Sequence, residues 1–267
     1  MTGQAFTADE VAEFYDELEK VLSAWLGESI HYGYWPDGPD EDFTAAQDRL
    51  THLVAAELAP APGSAVLDVG CGTGRPAELI ARARGCAITG ISLSAQQIEV
   101  AAARDLPLLR FERADAVDLP FADESFDGAV AVESLLHMPD LPAALAEVHR
   151  VLRPGARFAV ADFVERLPAD RAPDGLPLTP PPPLDDLVGL LRAAGFGVER
   201  VQDISDATRP TYDVMLAAID ARRATLDAIP NRRIADQVQH AIPALAAHAR
   251  EHTGYAVLTT TRGDRVA

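Results

Sequence analysis

The sequence predicts an α/β protein with a mostly parallel sheet and helices on both faces. Three observations carry that expectation. The apolar run at 65–69 ends in glycines at 70, 72 and 74, and a helical pattern opens at Pro76. From Ser64 onward, short apolar runs alternate with amphipathic stretches at the spacing of β/α units. With 267 residues, 48% hydrophobic and 24% charged, the chain is long enough for a sizeable core and has an ordinary globular composition.

In chain order, Thr7-Ala8-Asp9-Glu10 reads as a capping box, and apolar residues from Val11 to Trp25 recur at helical spacing until Gly27. The aromatic stretch His31-Tyr32-Gly33-Tyr34-Trp35 follows and ends in Pro-Asp-Gly turn chemistry. By composition alone it reads as a hydrophobic plug. A second helix is expected from about Thr44 to Leu58. Strands are expected at 65–69, 87–91, 108–112, 128–132, 157–161, 197–202 and 256–261. Helices are expected at 76–84, 95–103, 142–151, 184–194, 210–228 and 232–250, with Pro230 and Pro243 as breaks. Residues 166–183 read as loop and end in four prolines. We read the chain as a single domain: N-terminal helices and lid at 1–62, a binding core at 63–165, and further lid segments with the last strands at 166–267.

Composition narrows the partners. A formal net charge of −18 repels phosphate backbones and anionic lipid, so nucleic acid and membrane surfaces are excluded as expected partners. Neither a signal core nor a spanning run is visible, and two cysteines, Cys71 and Cys86, do not make a disulfide framework. The cysteine usage reads as a reducing cytoplasm, and a monomer or homodimer is expected.

A parallel sheet binds ligands beyond the C-terminal ends of its strands. That edge collects Asp68, Gly70 to Gly74, Ser92, Asp115, Glu133 to His137, and Asp162. Read from Gly72, the spacing Gly72, Gly74, Ala77 fits the alanine-ended dinucleotide fingerprint, so glycine spacing alone leaves NAD open. His248-Ala249-Arg250-Glu251-His252 matches a zinc-peptidase pattern, but it reads as a coincidence on a solvated helix face, and no metal is expected.

The full string Val66-Leu67-Asp68-Val69-Gly70-Cys71-Gly72-Thr73-Gly74 resembles the first motif of the class I S-adenosylmethionine-dependent methyltransferases. Further matches span about 64–165. Gly90-Ile91-Ser92-Leu93-Ser94, with Gln97, resembles a subgroup that includes natural-product sugar O-methyltransferases and mycolic acid cyclopropane synthases. There a hydroxyl residue and a glutamine replace the usual ribose-binding acid. Arg113-Ala114-Asp115-Ala116 resembles the adenine-binding motif, Ser125 to Val130 the fourth strand, and Leu152-Arg153-Pro154-Gly155 the turn before the fifth. His31 to Trp35 resembles the subgroup's lid, which favours a lid over a plug.

The resemblance implies a Rossmann-like seven-strand sheet with an antiparallel last strand and an N-terminal helical lid. It implies S-adenosylmethionine as cofactor, S-adenosylhomocysteine as product, and methyl transfer to oxygen or nitrogen of a natural-product intermediate. Carbon methylation, or cofactor binding without transfer, is the alternative. The implied cofactor contacts are Tyr34, Asp68, Gly70, Gly72, Gly74, Ser92, Gln97, Asp115, Ala116 and Glu133. The acceptor pocket is expected to draw on His31, Tyr32, Met138, Phe163, Tyr212 and Met215. A histidine–aspartate pair serves as base in the sugar O-methyltransferases, which implies His137 and Asp162 here. Those relatives often read His-His where this chain has Leu136-His137.

Overall fold

The computed structural model describes Val21 and residues 26–38, 42–168, 180–221 and 233–263. The capping box at Thr7 and most of the first expected helix lie outside these residues. The described part of that helix ends at Gly27, whose φ of +92° only glycine adopts readily.

The first described helix, α1 (Phe43–Leu58), is capped by Asp42, whose carboxylate accepts from Ala45 N–H. The remaining elements run β1 (Ala65–Val69), α2 (Arg75–Arg84), β2 (Ala87–Ser92), α3 (Ala95–Ala102), β3 (Leu109–Arg113), β4 (Phe126–Val132), a 3₁₀ turn (Leu135–His137), α4 (Leu141–Val151) and β5 (Leu152–Glu165). Then come α5 (Leu184–Ala193), β6 (Phe196–Asp203), α6 (Ser205–Thr208), α7 (Pro210–Ala221), α8 (Arg233–His252) and β7 (Thr253–Arg262). The described strands form a seven-stranded sheet in the order β3-β2-β1-β4-β5-β7-β6. β1 to β5 pair in parallel, whereas β7 runs antiparallel between β5 and β6.

Successive strand residues point to opposite faces, and both faces are covered. Leu67, Ala129, Phe158 and Leu258 pack under α4 and α5 with Leu145, Val148, Leu187 and Leu191. Their neighbours Val66, Val130, Ala159 and Val257 pack against Leu50, Val54 and Leu58 of α1 and Ile80 of α2.

Two expectations are corrected. Leu152-Arg153-Pro154-Gly155 is not a turn ahead of β5 but a bulge inside it. Pairing jumps from Phe126–Leu152 to Gly128–Arg157, and Gly155 takes φ +75° to absorb the extra residues. Pro243 does not break α8, which runs through it. Proline lacks an N–H and costs one helical hydrogen bond, but this ring is exposed and the rest of the helix carries it.

Candidate active site

The turn after β1 explains its glycines. Gly70 has φ +80°, and a β-carbon there would lie 2.4 Å from Ser134 Cβ. Gly74 has φ +76°, and a β-carbon there would meet Phe111 Cζ at 2.6 Å. Gly70 and Cys71 N–H donate to Ile91 O at 3.0 and 2.8 Å, which turns the backbone of the loop back over β2. Cys71 and Cys86 are buried free thiols, in keeping with small core fillers.

Asp68, the acid within β1, is 2% exposed, and its Oδ2 has no hydrogen-bond partner. Burial pushes its carboxyl from 3.8 up to about 7. A buried carboxylate oxygen left unpaired is costly unless a donor arrives from outside the protein. The atom therefore suits a cationic ligand beside the glycine turn.

At the end of β2, Ser92 Oγ donates to Gln97 Oε1 at 2.8 Å and accepts Ser94 N–H at 3.1 Å. Ser94 caps α3 by accepting Gln97 N–H. The two residues expected at the ribose are thus held side by side. Beyond β3, Asp115 Oδ1 accepts Val117 N–H at 3.1 Å, and Ala116 is buried in the core. The strand ends bring these groups to one edge of the sheet with Asp68.

Next to them lies the strap of residues 28–35. Thr73 Oγ1 donates to Glu28 O at 2.6 Å, and Ile30 covers the position a Gly72 β-carbon would occupy. Gln47 donates to Ser29 O and His31 O, while Gly33 N–H donates to Thr211 Oγ1. Tyr34 N–H bonds Ala46 O, and Trp35 N–H bonds Ala207 O. His31, expected in the acceptor pocket, is instead committed within the protein. Its Nδ1 lies 2.8 Å from Tyr32 O and so carries the proton, which leaves Nε2 to accept from Thr51 Oγ1 at 3.1 Å. Burial lowers its pKa to about 4.

The acceptor-side residues meet around Glu133. Tyr32 lies edge-on to Phe163 and Tyr212, with ring centroids 4.7 and 5.4 Å away, and stacks near Tyr255. The Tyr32 and Tyr212 hydroxyls share a hydrogen bond. Tyr212 in turn lies under the Arg250 guanidinium, which pairs with Asp213. Met215 is buried on the same helix, and Met138 packs against the core beside the 3₁₀ turn. Glu133 Oε1 accepts Tyr32 N–H at 2.7 Å and the Tyr255 hydroxyl at 2.8 Å. Burial still holds its carboxyl up at about 8. Sequence reasoning missed Tyr255. Its local signal was the aromatic opening the last strand, but only the antiparallel register opposes it to Phe163.

His137 is half-buried on the 3₁₀ turn, and desolvation lowers its pKa to about 4, so at neutral pH it is an uncharged imidazole. Asp162 Oδ2 accepts Leu135 N–H at 2.9 Å and Oδ1 accepts Phe163 N–H at 2.8 Å. Further bonds come from the Leu136 and Ser134 backbone, yet burial raises the group to about 7. These contacts make Asp162 a support for the turn that carries His137.

Among the described residues, no cluster of His, Cys, Asp and Glu could hold a metal, and no helix is long and apolar enough to cross a membrane. His252 Nδ1 of the peptidase-like pattern bonds Leu167 O at 3.1 Å.

A methyltransferase-domain family model matches residues 67–160, the span from β1 to β5. An O-methyltransferase of Penicillium expansum is 46% identical over 217 residues, covering 77% of this chain and 78% of its own. The chain belongs to the S-adenosylmethionine-dependent methyltransferases. The methyltransferase GfsG of Streptomyces halstedii is 38% identical over 231 residues, covering 81% and 83%. Among solved structures, the [4+2]-cyclase SpnF superposes with a TM-score of 0.87 at 34% identity, covering 98% of each chain. Relatives of this methyltransferase include O-methyltransferases of natural-product pathways.

Proposed function

We propose that the chain binds S-adenosylmethionine along the β1–α2 turn and transfers the methyl group to a hydroxyl oxygen of a small secondary-metabolite acceptor, with His137 as the base. The observation that carries this reading is the unpartnered Asp68 Oδ2 beside the left-handed glycines. Asp68 would hold the ammonium group of the methionine moiety, Ser92 and Gln97 the ribose, and Asp115 with the Ala116 backbone the adenine. Tyr34 would lie toward the methionine end. When bound, the cofactor supplies an electrophilic methyl on a sulfonium.

The protein's own contribution is alignment, dryness and proton removal. Neutral His137 takes the proton from the acceptor hydroxyl, and Asp162 keeps the His137 turn in place through its backbone bonds. The ring edges of Tyr32, Phe163 and Tyr212 provide an apolar wall against which a carbon skeleton can pack. The test is calorimetric titration with S-adenosylmethionine and NAD, followed by mass spectrometry of a panel of hydroxyl-bearing acceptors. Binding of the first alone, with S-adenosylhomocysteine released on turnover, supports the reading; absence of binding overturns it.

A second reading, a ring-forming reaction without methyl transfer, is favoured by the 34% identity to a [4+2]-cyclase over nearly the whole chain. It predicts a product isomeric with its substrate, formed equally well with S-adenosylhomocysteine present in place of S-adenosylmethionine.

A further inference from the structure

Glu133 stands out because its backbone and its side chain are both unusual. Its φ is +49°, a left-handed conformation that glutamate rarely adopts. Its N–H donates to Ala161 O at 2.8 Å, so the main chain is still anchored to β5 at this point. That geometry sends the carboxyl to the strap, where Oε1 meets the Tyr32 N–H at 2.7 Å, and to β7, where it meets the Tyr255 hydroxyl at 2.8 Å. Strain of this kind persists only where surrounding contacts determine it. Elsewhere the strap is tied to α1, the glycine turn, Thr211 and Ala207, and Glu28 pairs with Arg75 and Arg104. The Glu133 contact joins it to the strand end that leads into the His137 turn.

We propose that Glu133 is a positioning residue that docks the strap by accepting the Tyr32 N–H, and that this docking sets the Tyr32 ring as one wall of the acceptor pocket. Glu133 acts as a hydrogen-bond acceptor, through Tyr32, rather than on the cofactor or on a transferred proton. The proposal rests on the methyl-transfer reading for its kinetic arm only. A hydrogen-bond acceptor can be replaced by an amide oxygen, whereas a proton-transfer group or a charged ligand cannot. This difference decides the experiment.

Trp35 lies on the strap and is 2% exposed, so its fluorescence reports docking without cofactor or acceptor. The other of the chain's two tryptophans, Trp25, is removed by Trp25→Phe. In that background Glu133→Ala is expected to red-shift Trp35 emission and to raise the acceptor KM at least tenfold, with kcat within threefold. Glu133→Gln is expected to restore the emission and bring KM back to within threefold. Unchanged emission in Glu133→Ala overturns the proposal. So does a Glu133→Gln variant with parental emission whose kcat falls as far as in Glu133→Ala. Should Glu133→Ala fail to fold, Tyr32→Ala and Tyr32→Pro carry the test. Both lose the ring, but only the proline loses the donated N–H. A red shift in the proline variant beyond that of the alanine variant supports docking through this bond, and equal spectra overturn it. If fluorescence shows the latch while no acceptor is methylated, the reading of the reaction has failed and the latch has not.

Discussion

Asp162 on β5 holds Leu135 through a 2.9 Å bond from the Leu135 N–H to Oδ2, and Leu135 opens the turn on which His137 sits. The carboxyl is nearly inaccessible, and burial outweighs its backbone bonds, so its pKa stands near 7 against 3.8 for an ordinary Asp. The placement of the His137 turn therefore depends on Asp162.

Asp162→Ala leaves buried amides without their acceptor, each costing about 1–3 kcal/mol. The expected outcome is a marked fall in Tm by calorimetry, with Asp162→Asn losing less because it keeps one acceptor oxygen. The pH dependence has a definite sign. A carboxyl whose folded pKa is raised binds protons more tightly when folded, so its stabilisation is whole below about pH 4 and is lost as pH rises to about 7. Wild type should lose on the order of a few kcal/mol relative to Asp162→Asn across that window. A difference that does not vary with pH would show that Asp162 is ionised throughout.

Cofactor binding should release a proton through Asp68. Free, that carboxyl titrates near 7; facing an ammonium group it is pulled down. At pH 6, calorimetry in buffers of different ionisation enthalpy is expected to show net proton release on binding of S-adenosylhomocysteine. The release should disappear in Asp68→Asn, whose affinity falls roughly ten- to a hundredfold, the worth of a hydrogen bond to a charged group. Release that persists in the variant would locate the titrating group elsewhere.

His137→Ala should lower kcat by about 10²–10⁴, the range of a lost general base. Because burial lowers the imidazole pKa to about 4, its basic form persists far below pH 6.5, and no histidine limb is expected between pH 5 and 7. A limb at 6.5 that vanishes in the variant would mean that the working imidazole is solvated. For stability the sign is opposite to that of Asp162: the unfolded chain takes up this proton first, so the contribution of His137 is lost as pH falls from 6.5 to about 4.

Gly70→Ala combines a left-handed backbone with a β-carbon 2.4 Å from Ser134 Cβ. The left-handed conformation costs roughly 1–2 kcal/mol and the overpacking about 1–3. Chemical denaturation should show a loss of about 2–5 kcal/mol, whereas Gly63→Ala, also left-handed but with open space around it, should lose only the first part. Equal losses at the two positions would mean that Ser134 yields without strain.

The sheet was legible because buried parallel strands are short apolar runs and each is punctuated by glycine, proline or a capping residue. The edge proposed to hold the cofactor was legible because its residues lie within a few positions of strand ends. What escaped depends on distant partners. The aromatic density of the strap marked it, but nothing near His31 reveals that Thr51 takes its second ring nitrogen. Asp162 was implied as the partner of His137 by the family resemblance, and only the fold shows the 3₁₀ turn closing on it. Tyr255 lay beyond reach, since its hydroxyl meets a residue 122 positions away. The start of β5 was misplaced because a proline–glycine pair signals a turn in sequence, whereas the sheet absorbs it as a bulge.

The position of β7 has a consequence for biosynthesis. It leaves the ribosome after β5 and β6, yet it must slot between them. Until it arrives, those two strands have unsatisfied edges and Glu133 lacks its phenolic neighbour. A nascent chain stopped short of Thr253 would have a glycine turn and a histidine but no finished acceptor wall, with sticky strand edges that chaperones would have to shield.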